Sequence, residues 1–256
     1  MKANWKIALM CIATLAFVAC KDNKGGGGGG GEDPEEEYVK AISVTDNSLS
    51  DWDALDQNYV FSAVCPADAS LLGLKSAKVY ADKFYIFIQV EPNMEDVTDL
   101  EWVPFHVYIN TDNSDGTGGY GDEFTDANAD ILLEGAVFAN DPCSYSPAVF
   151  KWWGEVGGSG WEWTDPSVEH NADDGWGAVI AEGNLQGTSS QFVNGKIEIE
   201  IMRELVPTPA GWNENEFGIG FDIQQAWSSV GILPIGSATE EDPNGHAHKL
   251  QVKIKK

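Results

Sequence analysis

Lys196-Ile197-Glu198-Ile199-Glu200-Ile201 alternates apolar and charged residues without a fault, and its reading decides the fold class. Successive side chains of an extended strand point to opposite faces, so the three isoleucines share one face and the two glutamates the other. Such a pattern predicts a strand with one buried face and one wet face. The same period of two recurs on both sides of it. Upstream it marks Tyr38 to Val44, Ala77 to Ala81, Phe84 to Val90, Phe105 to Thr111, Ile131 to Ala139, Ala148 to Trp153 and Trp176 to Ala181. Downstream it marks Phe217 to Ile223 and Lys249 to Ile254. Asp82-Lys83 reads as a tight hairpin turn. No stretch shows three turns of amphipathic helix with caps, and Gly, Asn and Asp are frequent between the strands. The expectation is an all-β chain: a two-sheet antiparallel β-sandwich, jelly-roll or immunoglobulin-like, with long loops. No internal repeat stands out, so residues 38–256 read as a single domain.

The first forty residues read differently. Lys2 and Lys6 precede an apolar run from Ile7 to Val18, which is shorter than the roughly 20 residues a permanent membrane span needs. Phe17-Val18-Ala19-Cys20 resembles a lipobox, the bacterial site at which a cysteine is lipidated after signal cleavage. Residues 1–19 are therefore expected to be a lipoprotein signal peptide, with Cys20 the lipidated residue. Residues 20–37, which hold Gly25 to Gly31 and then Glu32-Asp33-Pro34-Glu35-Glu36-Glu37, read as a flexible acidic tether. Asp22 beside the cysteine resembles the export signal of some surface lipoproteins. The expected location is the outer membrane, facing the cell surface, with the lipid anchor as the only membrane contact.

Removing Lys2 and Lys6 with the signal leaves 13 basic against 41 acidic residues, a net charge near −28. That charge argues against nucleic acid and anionic lipid as partners and suits cations or neutral polar ligands. Cys65 and Cys143 are the cysteines left in the folded part, and an oxidising compartment would allow them to form one disulfide.

Ser48-Leu49-Ser50-Asp51-Trp52, the hairpin Tyr80-Ala81-Asp82-Lys83-Phe84-Tyr85-Ile86, and Val107-Tyr108-Ile109-Asn110-Thr111-Asp112-Asn113 follow one another in an order that, with Ala129 to Glu134 and Ile197 to Ile201, resembles the family 9 carbohydrate-binding modules and their DOMON-type relatives. The resemblance covers most of residues 38–256 and implies a sandwich, a structural calcium near the loop after Asn110, and sugar held between tryptophans. The chain departs from the pattern in having Asn110 where the family usually has Asp, and in a longer stretch between Ala139 and Trp176.

Two clusters could carry chemistry. The first is Asn110 to Gly116, continuing through Asp122, Glu123, Asp126 and Asp130. Calcium takes six to eight hard oxygens, and the ligands expected here are Asp112, Asp115, Asp122, Asp126 and Asp130. The competing reading is a loop rich in Asx turns whose acids stay solvated. The second cluster is aromatic: Trp152, Trp153, Trp161, Trp163 and Trp176 lie within 25 residues, among several glycines. Indole faces suit the C–H face of a pyranose, and Asp173 and Asp174 would hold its hydroxyls. Adjacent Trp152 and Trp153 would oppose each other on a strand. Trp52, Trp102, Trp212 and Trp227 read as packing, and His106 as a satisfied core or edge histidine. His246 and His248 read as a polar strand entry.

No catalytic residue is assigned. Gly157-Gly158-Ser159-Gly160-Trp161 lacks the closing glycine of a nucleophile elbow, and the polyglycine lacks the Lys-Ser/Thr that grips phosphate. The leading expectation is non-catalytic binding of a poly- or oligosaccharide, within an outer-membrane uptake complex. A structural or adhesion lipoprotein that binds another protein, and a glycoside hydrolase using two of the many acids, stay open as alternatives.

Overall fold

The computed structural model describes residues 38–97, 102–119, 123–137, 145–152, 154–158, 185–208 and 211–256. Residues Lys40–Lys256 form one compact unit. The elements are β1 (Val60–Val64), β2 (Leu74–Asp82), β3 (Tyr85–Pro92), β4 (Val103–Asn110), β5 (Ile131–Val137), β6 (Ala148–Lys151), β7 (Thr188–Val193), β8 (Lys196–Met202), β9 (Glu216–Gln225), β10 (Ser228–Leu233) and β11 (Leu250–Lys255). The only helical turns among the described residues are Asp51–Ala54, Gln57–Tyr59 and Arg203–Leu205. The chain is all-β.

These strands hydrogen-bond into a single curled, mixed sheet in the order β6-β5-β4-β9-β11-β2-β3-β8-β7, with β1 added on β2 and β10 on β9. All pairings between these strands are antiparallel except one. That exception is a short parallel contact of β11 with β2, Ile254 opposite Ala81 and Lys255 opposite Asp82. One apolar cluster takes side chains from both halves of the sheet. Val79, Ile88 and Ile199 come from β2, β3 and β8, and Val107, Leu133 and Phe221 from β4, β5 and β9. Fully burying each such side chain contributes about 1.5–3 kcal/mol, and a curled sheet buries many of them on one continuous face.

β8 begins and ends where its alternation places it, and Ile197, Ile199 and Ile201 are buried. Its second face is not wet. Glu198 and Glu200 are buried too, because residues 40–59 cross that face and pack Ile42, Val44 and Trp52 onto Tyr80 and Phe87. Trp52 Nε1 and Gln191 Nε2 each donate to Glu198 at 2.5 Å, and Lys40 Nζ lies 2.9 Å from Glu200. Burial pushes the Glu198 carboxyl up, against those two donors, which pull it down.

The strand expected over Tyr38 to Val44 is not formed. The alternation there reflects Ile42 and Val44 packing on the sheet's outer face, not ladder pairing. The hairpin turn is Lys83-Phe84, one residue later than expected, because the Asp82 carboxylate accepts from Phe84 N and Tyr85 N at 2.8 and 2.9 Å. Strands β1, β7 and β10 escaped the sequence reading. β7 is rich in serine, threonine and glutamine, and the β10 pairing carries an irregularity between Ser229 and Gly231, which breaks the period. The strand expected over Trp176 to Ala181 lies outside the described residues.

Candidate functional site

An open polar cleft of about 680 Å³ lies where the end of β4 meets the starts of β9 and β11. Asn110 closes β4, Glu216 opens β9, and Gln251 sits near the start of β11; Asn113, Asp115 and Asn128 come from the acidic stretch between β4 and β5. Gly157 forms part of the wall and donates its N–H to Gly118 O at 2.9 Å, tying the segment after β6 to the acidic loop. Asn110 accepts from Ser114 N at 3.2 Å, and Asn113, at φ +57°, donates through Nδ2 to Glu216 Oε1 at 3.1 Å. The cleft therefore presents preset amides and carboxylates rather than mobile ones.

The acids expected to hold calcium are already engaged. Asp112 accepts from Ser114 N at 2.9 Å and from Thr117 Oγ1 at 3.1 Å. Asp115 accepts from Asn128 Nδ2 at 2.7 Å, and Asp130 from Thr111 N and Oγ1 at 2.8 and 3.1 Å. Asp126 receives the backbone N–H of Lys249 at 2.9 Å, while Lys249 Nζ donates to Asp126 O and, at 3.0 Å, to Asn128 Oδ1. The Lys249 side chain is wholly buried, and Nζ also lies 5.1 Å over the Phe124 ring. Burial lowers the Lys249 pKa, and the charges of Asp126, Asp130 and Asp115 pull it back up. Burial raises the Asp130 carboxyl, opposed by the Thr111 bond and reinforced by the charge of Asp112.

The cation built into this loop is thus an ammonium. A calcium ion bound at Asp126 would have to compete with Lys249 for the same oxygens. As folded, Asp126 and Asn128 turn oxygens onto the Lys249 ammonium. Asp122 lies outside the described residues. Lys249 was legible only as a strand residue, since its role depends on a partner more than a hundred positions away.

Of the five clustered tryptophans, Trp152 is described, and its place is interior. It is 7% exposed and packs with Tyr108, Phe124, Leu132, Phe150 and Ile232. Its ring lies so close over Gly119 that a Cβ there would come within 2.0 Å of Cε2, and Nε1 donates to Glu155 O at 3.0 Å. Trp152 is therefore a packing residue, which corrects its assignment to a ligand face. Trp153, Trp161, Trp163, Trp176, Asp173 and Asp174 lie outside the described residues. Trp161 and Trp163 follow the cleft residue Gly157 by four and six positions in sequence. Trp52 is buried as expected, whereas Trp102 and Trp227 are 56% and 59% exposed instead of packed. Trp227 sits at φ +63° in the β9–β10 turn, where the backbone turns its side chain out of the ladder.

His106 is buried in a row across the sheet that the sequence left unpaired. Nε2 is 3.1 Å from Glu134 Oε2 on β5, and Nδ1 is 3.6 Å from Asp222 Oδ2 on β9. Burial by itself would pull the imidazole pKa down. Hydrogen bonding and charge from Asp222 and Glu134 outweigh it and raise the pKa to about 9. The sequence shows three polar residues interrupting three apolar strands, but only the register sets them side by side. Cys65 is a half-buried free thiol with Sγ 3.5 Å from Pro66 O, and burial raises its pKa. Cys143 lies outside the described residues, as does Cys20.

No protein-family model and no curated protein matches this chain.

Proposed function

We propose that this chain is a lipoprotein, anchored through Cys20 and displayed at the outer surface, that binds a neutral glycan without cleaving it. On this reading the curled sheet is a two-sheet sandwich, supported by the single apolar cluster drawn from both of its halves. The observation that carries the ligand class is the polar cleft. Asn110, Asn113, Asn128 and Gln251 supply amides, and Asp115 and Glu216 supply acceptors, which together suit a ligand dense in hydroxyls. The high negative charge of the chain disfavours polyanions there and leaves neutral sugar unopposed. Trp161 and Trp163 are the proposed stacking partners, supported by their nearness in sequence to Gly157.

The test is a glycan array followed by affinity gels on the retained polymers. Each lost hydrogen bond contributes about 0.5–1.5 kcal/mol, so Asn113→Ala or Gln251→Ala should weaken binding roughly 2- to 12-fold. Trp161→Ala or Trp163→Ala should weaken it at least as much. Wild-type silence across neutral polysaccharides would remove this reading and favour a protein partner. Release of reducing ends from a bound polymer would overturn its non-catalytic part.

A further inference from the structure

In an acidic chain the cations are not spread evenly. Eleven lysines and arginines lie between 38 and 256, and four of them, Lys83, Arg203, Lys255 and Lys256, line one pocket of about 420 Å³. Four separate parts of the chain build this pocket. Lys83 sits in the β2–β3 turn, Arg203 follows β8, Lys255 ends β11, and Trp212 and Glu214 come from the segment before β9. The parallel pairing of Lys255 with Asp82 sets the end of β11 beside the Lys83 turn.

Arg203 is the only arginine in the sequence and is 7% exposed. Nη1 donates to Asp82 O at 2.9 Å and to Lys83 O at 3.3 Å, but Nε is buried with no hydrogen-bond partner among the described residues. An unmatched buried donor is costly, and on a guanidinium it is half of the fork that grips a carboxylate. The guanidinium lies 4.9 Å over the Trp212 ring, whose Nε1 donates to Arg203 O at 3.1 Å. Phe217 meets the same indole edge-on, with centroids 5.6 Å apart at 80°. Trp212 is thus held on two sides, and together with Ile254 it gives the pocket an apolar wall. Glu214 on the rim opposes a second negative charge on any ligand.

We propose that this pocket binds a single carboxylate borne on a ring, with the carboxylate against Arg203 and the lysines and the ring against Trp212 and Ile254. The site is separate from the cleft residues named above, and its ligand does not depend on what the cleft binds. Two sources share the chemistry, a uronic acid and an aromatic acid.

The experiment is titration calorimetry of the folded chain with glucuronate, benzoate and glucose at low salt. The expected result is binding of glucuronate or benzoate, whichever is the natural source, with no glucose binding at the same concentration and a marked loss of affinity in molar salt. Arg203 is buried and its loss would disturb the fold, so the variant of choice is the surface pair Lys83→Ala/Lys255→Ala. It should bind the acid at least 5-fold more weakly while its urea midpoint stays unchanged. Failure of both acids to bind overturns the proposal, as does equal binding of glucose and glucuronate, or undiminished acid binding by the double variant. Asn113→Ala and Gln251→Ala should leave acid binding intact, so failure here and failure of the cleft reading are seen separately.

Discussion

Replacing Lys249 with methionine keeps the apolar stem and removes the one ammonium that Asp126 and Asn128 share. Breaking a buried pair by deleting one partner costs about 3–5 kcal/mol, because the surviving charge is left uncompensated. Asp126 retains the backbone N–H of residue 249, and its side chain is 9% exposed, so the lower end, about 3 kcal/mol, is the expected loss. For a domain of this size each kcal/mol moves the melting temperature about 2–4 °C, which predicts a drop of roughly 6–12 °C. The assay is urea and thermal unfolding of wild type and variant, each with a chelator and with millimolar calcium. Wild type should be indifferent to both additions. The variant should be weakened, and calcium should restore part of the loss, since Asp115, Asp126 and Asp130 would then lack the charge of Lys249. A wild-type protein that loses stability on chelation would refute the argument, because calcium and not Lys249 would then be balancing the loop.

His106 provides a pH test. Its folded pKa, about 9, lies above the ordinary 6.5. The stabilisation is therefore complete below about pH 6.5, declines as pH rises, and is gone above about pH 9, a loss on the order of 3 kcal/mol. Urea midpoints measured across that window should fall in wild type and stay flatter in His106→Gln; equal slopes would show that another group governs the decline. At Gly220 a Cβ would stand 2.4 Å from Phe124 Cζ, so Gly220→Ala should cost about 1–3 kcal/mol by equilibrium unfolding, and an unchanged midpoint would mean the ring moves freely. Glu198→Ala strands the indole N–H of Trp52 and leaves the Gln191 amide with Ser48 O as its acceptor, with an expected cost of about 1–3 kcal/mol and a red-shifted tryptophan emission; a neutral result would mean residues 40–59 are held by apolar packing alone. Cys20→Ser should move the exported protein from the detergent to the aqueous phase on partitioning, and unchanged partitioning would rule out the lipid anchor.

Most of the strand set was legible because burial on a pleated surface writes itself as a period of two. β8 starts and stops where its isoleucines say, and β3, β4, β5, β9 and β11 fall within a few residues of expectation. The reading failed where covering replaces pairing. Glu198 and Glu200 look solvated in a one-dimensional pattern, and only the crossing of residues 40–59 turns their face into an interior. Ile42 and Val44 alternate like a strand for the same reason, though they join no ladder. The tryptophans show the converse: composition marks a residue as large and amphipathic, but Trp152 is interior and Trp227 is out in solvent because of the turn and the glycine they meet.

The sequence alone determined the all-β class, most strand positions, the acidic balance and the separate character of the first 37 residues, because each is a local property of composition or of side-chain alternation. Tertiary structure alone decided which charges meet. Lys249 reaches Asp126, His106 falls between Glu134 and Asp222, and Arg203 gathers beside Lys83, Lys255 and Trp212. Such meetings depend on strand order and register, and a sheet that joins residues more than a hundred positions apart leaves no mark of those pairings in the chain itself.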